Sequence, residues 1–211
     1  MIHWRKGWGL FWPDYDAAPE RTYRYVLKHL PDLDMTVQAA PHHRVVVQAG
    51  GHVGIWPREL ARHFDHVLTF EPDPALFECL RRNTANLPNV RAYNWALGRE
   101  IGAATMREDA KAGSWAIDAG GTVPVRMATI DSVLGARGLV ACDAIVLDVE
   151  GYELEALRGA SATIQRDRPL IHVEELGRNR AASAAYMASI GYLEKARAGR
   201  DALYIHGGTT C

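Results

Sequence analysis

Short runs of consecutive apolar residues recur along this chain. They are "RVVV" at 44–47, "HVLTF" at 66–70, "VRAYN" at 90–94, "AIVLDV" at 144–149 and "PLIHVE" at 169–174. Stretches of helical period separate them, and this alternation constrains the fold more than any other feature. Three successive valines, Val45 to Val47, mark a strand buried on both faces, as in a parallel sheet. Helices are predicted over 54–63, over "EPDPALFECLRRNTAN" with Asp73 as N-cap and Pro74 at the first position, over "TIDSVLGARG", over 152–164, and from about 178 to 190. Such repetition predicts a doubly wound α/β architecture, a mainly parallel sheet with helices on both faces. The closing "GYLEKARAGRDALYIHG" reads as a hairpin that adds an antiparallel strand.

The rest of the chain is less regular. Residues 1–19 carry Trp4, Trp8, Phe11, Trp12 and Tyr15 without a clear period, and are expected to form an irregular aromatic flap, either a cover for one sheet face or a lid over a substrate. Residues 20–30 set Tyr23, Val26, Leu27 and Leu30 on one helical face, and Pro31 ends the run. Between 99 and 128, short strands are predicted around glycine turns at Gly113 and at Gly120–Gly121. No internal repeat or low-complexity linker divides the 211 residues, so one domain is expected over 1–211, with 1–43 as an aromatic-rich extension and helix.

Composition narrows the class. With 48% hydrophobic residues the chain can build a core, and a formal charge of -1 argues against a general nucleic-acid binder. Cys79, Cys142 and Cys211 lie far apart with no CxxC spacing, which fits a reducing cytoplasm rather than a zinc ribbon or a disulfide framework. No signal peptide is read at the N-terminus, and no apolar run approaches the roughly 20 residues needed to cross a bilayer. Nothing here fixes an oligomeric state.

In an open α/β sheet, ligands bind beyond the carboxyl ends of the strands, near the switch in strand order. Those ends carry a consistent polar set. The first strand ends in Gln48 and a corner containing Gly50, Gly51, His52 and Gly54, where backbone can approach a ligand closely. The second ends in Glu71-Pro72-Asp73, with Glu71 20 positions after Gly51, where an acid can accept hydrogen bonds from both ribose hydroxyls. Trp95 and Ala96, past the third strand, are placed to flank a flat base. The fourth strand ends in Asp148-Val149-Glu150 and the fifth in His172-Val173-Glu174. Asp148 and Glu150 are two apart and can point to one side; either of them, Glu174 or His172 can serve as a base. Equally, Asp148 can bind a cofactor amino group and Glu150 can cap the following helix. No spacing demands a metal, and none is predicted.

A dinucleotide fingerprint would read GxGxxG, whereas positions 49, 51 and 54 are Ala, Gly and Gly. The ordered segments "QAGGHVG", "FEPDP", "NWALG", "TIDSVL", "LDVEGYE" and "RPLIHVEE" instead resemble class I S-adenosylmethionine-dependent methyltransferases, and more narrowly the FkbM family, over about residues 44 to 176. That resemblance implies a Rossmann-like fold with S-adenosylmethionine as cofactor. It implies methyl transfer to an acceptor, often a hydroxyl, here expected on a small molecule or glycan. Two other readings stay open: a non-catalytic module that kept the adenosyl pocket, and a nicotinamide-dependent oxidoreductase. Three positions depart from the family pattern: Gln48 replaces the usual acid, His52 stands where Asn is common, and Val146 where Lys often is.

Overall fold

The computed structural model describes residues 1–109, 114–139, 141–177 and 179–208; Gly113, Arg178 and Cys211, named above, lie outside them. The chain opens with an antiparallel pair, β1 (Ile2–Arg5) and β2 (Leu10–Pro13), where an irregular flap was expected. Leu10 and Trp12 on alternate positions of β2 are buried, Trp12 completely. A period of two across four residues is too short to stand out between Trp, Gly and Pro neighbours.

Helix α1 (Pro19–His29) follows as predicted, with Tyr23, Val26 and Leu30 packed toward the core but Leu27 left 40% exposed. Pro31 ends it and at once becomes the N-cap of α2 (Asp32–Ala39), a helix the sequence reading lacked. Proline has no N–H to lose at a helix start, so one residue closes one helix and opens the next.

The remaining elements run β3 (Val45–Ala49), α3 (Ile55–Leu60), β4 (His66–Phe70), α4 (Pro74–Asn83) and β5 (Val90–Tyr93); then β6 (Ala96–Leu97), β7 (Gly102–Asp109), β8 (Ser114–Ile117) and β9 (Val123–Ala128); then α5 (Ile130–Arg137), β10 (Ala144–Leu147), α6 (Glu153–Arg158), α7 (Ser161–Asp167), β11 (Leu170–Glu174), α8 (Arg180–Ser189), β12 (Tyr192–Ala198) and β13 (Asp201–His206). A seven-stranded sheet has the order β12-β13-β11-β10-β3-β4-β5, in which β13 runs against both of its neighbours. Strands β6 to β9 form a separate four-stranded sheet.

Two apolar layers sandwich the large sheet. Val45 and Val47 join Ile145, Leu157 and Met187 on one face, whereas Val46 joins Trp12, Leu60 and Leu203 on the other. This explains the triple valine: each side chain is at most 3% exposed, and burying each contributes roughly 1.5–3 kcal/mol. The helix expected over 152–164 is broken in two. At the join, a Cβ on Gly159 would lie 2.0 Å from the Gly98 carbonyl oxygen, so the loop from the small sheet packs directly on the backbone there.

Candidate functional site

From β3 the chain builds outward through β4 and β5, then returns to β10 on the other side. The strand order therefore reverses between β3 and β10, and the crevice beyond their carboxyl ends is the place where doubly wound sheets bind ligands. Gly50 and Asp148 meet there. Asp148 N–H donates to the Ala49 carbonyl at 3.1 Å, and a Cβ on Gly50 (φ +84°) would fall 1.8 Å from the Asp148 carbonyl oxygen. Gly51 is less tight, its Cβ space closed by the Leu80 and Thr69 side chains at 2.7 and 2.8 Å. Both glycine N–H groups donate to the Phe70 carbonyl, and Gly54 (φ +96°) opens α3. Gln48 turns inward. Fully buried, its amide nitrogen donates to the Ala49 and Gly50 carbonyls at 3.1 and 3.0 Å, and its carbonyl accepts from Thr69 Oγ1. Gln48 thus braces the corner from beneath.

Glu71 lies across the corner. Its Oε2 accepts from His52 N–H at 2.8 Å and its Oε1 from Asp73 N–H at 2.9 Å. Burial pushes its carboxyl up to about 7, and those two main-chain donors only partly offset the desolvation. Asn94, first residue of "NWALG" and given no site role from the sequence, donates to the Glu71 and Pro72 carbonyls at 2.9 Å each and so fixes the acidic loop. Asp73 caps α4 as expected, with Oδ1 accepting from Ala75 and Leu76.

The N-terminal hairpin reaches this loop. Tyr15 donates to Asp73 Oδ1, Trp12 meets the His52 ring edge-on at 5.4 Å, and Asn83 bonds both main-chain groups of Phe11 as well as the Val53 carbonyl. His52 holds a left-handed conformation (φ +48°), and burial lowers its imidazole to about 4, so the ring is neutral. Its Nδ1 is buried without a hydrogen-bond partner. The hairpin thus reaches the glycine corner, the acidic loop and α4.

A second group of acids lines the ends of β10 and β11. Asp148 is hydrogen-bonded to Glu174, and burial, then the Glu174 and Glu150 charges, hold its carboxyl well above the usual carboxylate range. Glu174 is 9% exposed, with the Arg200 guanidinium 3.5 Å away. Glu150 adopts φ +55° beside Gly151. Two main-chain amides of this turn go to Glu153: Val149 and Gly151 donate to Glu153 Oε1 at 3.1 and 2.9 Å, while Asn179 donates to the Gly151 carbonyl. Glu153 is the last residue of "DVEGYE", the signal that could have exposed its role.

His172 is fully buried between Thr36 Oγ1 at 2.7 Å and Asp201 Oδ1 at 3.1 Å, a packed strand histidine rather than a base facing the crevice. Single ligand atoms of His29, Asp32 and Asp201 lie within 4.8 Å of one another, but His29 already pairs with Asp32, and Asp201 with His172. Trp95 is half-buried, 5.0 Å from the Tyr93 ring. Ala96 is buried in the core of the small sheet beside Met106 and Met127.

Comparison with known proteins agrees with this arrangement. The model of the methyltransferase FkbM domain matches residues 48–195. An FkbM methyltransferase structure from Methylobacillus flagellatus superposes with TM-score 0.60 at 18% identity, covering 78% of this chain and 44% of that one, so the chain spans less than half its length. A precorrin 8w decarboxylase from Methanobacterium thermoautotrophicum gives TM-score 0.51 at 16% identity, covering 84% and 89% of the two chains. A Streptococcus mutans protein solved in complex with SAH gives 0.50 at 9% identity, covering 82% and 93%. These likenesses share the class I, Rossmann-like fold. No curated protein matches the sequence. With the family model aligned over most of its length, from Gln48 at the corner through both acidic strand ends, the chain belongs to the FkbM methyltransferase family.

Proposed function

We propose that this chain uses S-adenosylmethionine to methylate a hydroxyl group on a small molecule or glycan. The supporting observation is the state of the corner. Glu71 has lone pairs beyond the two that its main-chain donors use, and His52, whose N–H is one of those donors, keeps a buried Nδ1 with nothing to bond. Unmatched buried polar groups are costly, and a ribose carries hydroxyls that can donate to a carboxylate and exchange hydrogen bonds with an imidazole. The residues present therefore fit an adenosyl group. When bound, that group supplies a methyl activated on a sulfonium.

The chain's own residues divide the remaining work. Glu71 accepts from the ribose hydroxyls, the glycine corner of Gly50 and Gly51 keeps side chains out of the way, and Pro72, Asp73 and Trp95 flank the base. Gln48 keeps the corner rigid from below. Asp148, protonated and bonded to Glu174, leaves Glu174 as the carboxylate that takes the acceptor's proton, while Glu150 orients the acceptor. The apolar cluster shared by Trp12 and Val46 supports reading the 1–43 extension as part of one domain. Cys79 and Cys142 are free and buried, which supports a cytoplasmic setting. No helix is long and apolar enough to cross a membrane among the described residues.

The test is to incubate the protein and S-adenosylmethionine with pools of hydroxylated metabolites and glycans, then search by mass spectrometry for a one-methyl increment. The expected result is an increment that Glu174→Gln abolishes while SAH still binds. Binding of SAH without any increment would leave a binding module instead, and absence of SAH binding would overturn the reading.

A further inference from the structure

We infer that a trough on the α2 side of the large sheet binds an amphiphilic anion, separately from the strand-end crevice. Met35 and Ala39 of α2, with Leu170, Ala196, Leu203 and Ile205 of the sheet, line a cavity of about 500 Å³. It lies at the end of β13 away from Asp201, because Leu170 opens β11 and Ile205 sits near the close of its antiparallel neighbour. That volume is within the range of small-molecule sites. Leu193, paired with Ile205 and 63% exposed, continues the apolar surface outward.

The polar groups around this apolar floor are Gln38, Arg168, Lys195 and His206, and no carboxylate lines it among the described residues. Local irregularities deliver the charged ones. Arg168 ends α7 in a left-handed conformation (φ +49°). Lys195 is the extra residue of a bulge between Glu194 and Ala196. Consecutive residues of a regular strand point to opposite faces, but the bulge lets Lys195 and Ala196 line the same cavity. His206 Nδ1 accepts from Gly208 N–H at 3.1 Å, and its ring meets Tyr192 edge-on at the margin of the trough.

The acids nearest in sequence are engaged elsewhere. Asp167 holds Arg166 and the Cys142 N–H, and Glu194 holds Arg197. Arg168 and Lys195 make no ion pair among the described residues. Two unpaired cations around an apolar floor are complementary to one anionic head on an unbranched apolar chain. A carboxylate or a phosphate monoester meets that description, and the cavity takes the free monomer.

Titration calorimetry of the full chain with decanoate, decyl phosphate and decanol tests this. Saturable one-to-one binding is expected for at least one anion, about tenfold or more tighter than decanol, a difference of about 1.4 kcal/mol. Which anion binds identifies the head. The double variant Arg168→Glu, Lys195→Glu and the cavity-filling Ala196→Leu should each weaken that binding about tenfold, with melting temperature kept. Lys195→Met, which leaves the bulge and the floor intact, should weaken it less than the double reversal. Equal affinity for decanol, binding indifferent to charge reversal, or binding only to anionic vesicles and not to the monomers would each overturn the inference.

Discussion

The Tyr15 hydroxyl donates to Asp73 Oδ1 at 3.0 Å, the same oxygen that accepts the Ala75 and Leu76 N–H groups at the start of α4. One carboxylate oxygen thus caps a helix and anchors the N-terminal hairpin to the acidic loop. Burial and Asp73 hold the Tyr15 phenol far above its usual range, so it remains a donor.

Tyr15→Phe keeps the ring and removes only that donor. Because Asp73 retains both main-chain partners, the loss of stability should be about 1 kcal/mol, read from denaturant melts. SAH affinity, measured by calorimetry, should fall more than the apparent affinity for acceptor. A fall in acceptor affinity alone would move the hairpin's influence to the other acids.

Glu71 makes stability depend on pH in an unusual direction. Its carboxyl is raised from 4.5 to about 7, so the native state binds more protons than the unfolded chain between those values. Stability contributed by this group is full at low pH and is lost as pH rises through about 7, by roughly 3 kcal/mol at most. In Glu71→Gln that decline should vanish, which melting curves taken on both sides of the window will reveal. The same variant should lose SAH binding at every pH, whereas the parent should bind more tightly once Glu71 is ionised.

Glu174→Gln should lower the Asp148 carboxyl toward its ordinary range, because the Glu174 charge and hydrogen bond both favour the protonated form. Burial and Glu150 remain, so the return should be incomplete. Carbon-detected NMR titration of the Asp148 carboxyl measures this without any acceptor. An unmoved titration would mean that burial and Glu150 set it without Glu174.

Gly159→Ala should destabilise the fold by about 3 kcal/mol or more, since its Cβ would meet the Gly98 carbonyl oxygen at 2.0 Å and both partners are backbone. Thermal melts are sufficient to test it. A neutral result would mean that the small sheet moves readily against α6 and α7.

The strands of the large sheet were legible because burial on both faces leaves an apolar run that few other environments explain. Val45 to Val47 and Ala144 to Leu147 are examples, each at most 3% exposed. Polar residues at strand ends were legible for the converse reason, and Glu71, Asp148 and Glu174 do converge on one rim. Bracing residues were not. Asn94, Asn83 and Glu153 carry no periodic signal, because their partners are main-chain groups that any sequence possesses. Gln48 was located but its direction was not, since Thr69, the residue that turns it inward, is 21 positions away on a neighbouring strand. Helix α2 was hidden behind Pro31, and the hairpin behind strands of four residues.

The joint between Gly50 and Asp148 bears on how such chains diverge. A side chain at position 50 is forbidden by the neighbouring strand itself, whether or not anything ever docks above it. Selection for a well-assembled sheet would preserve that glycine in a descendant that had abandoned chemistry altogether. Glycine at this corner is therefore a record of architecture, and inheritance of the reaction has to be traced through the acids that the architecture does not require.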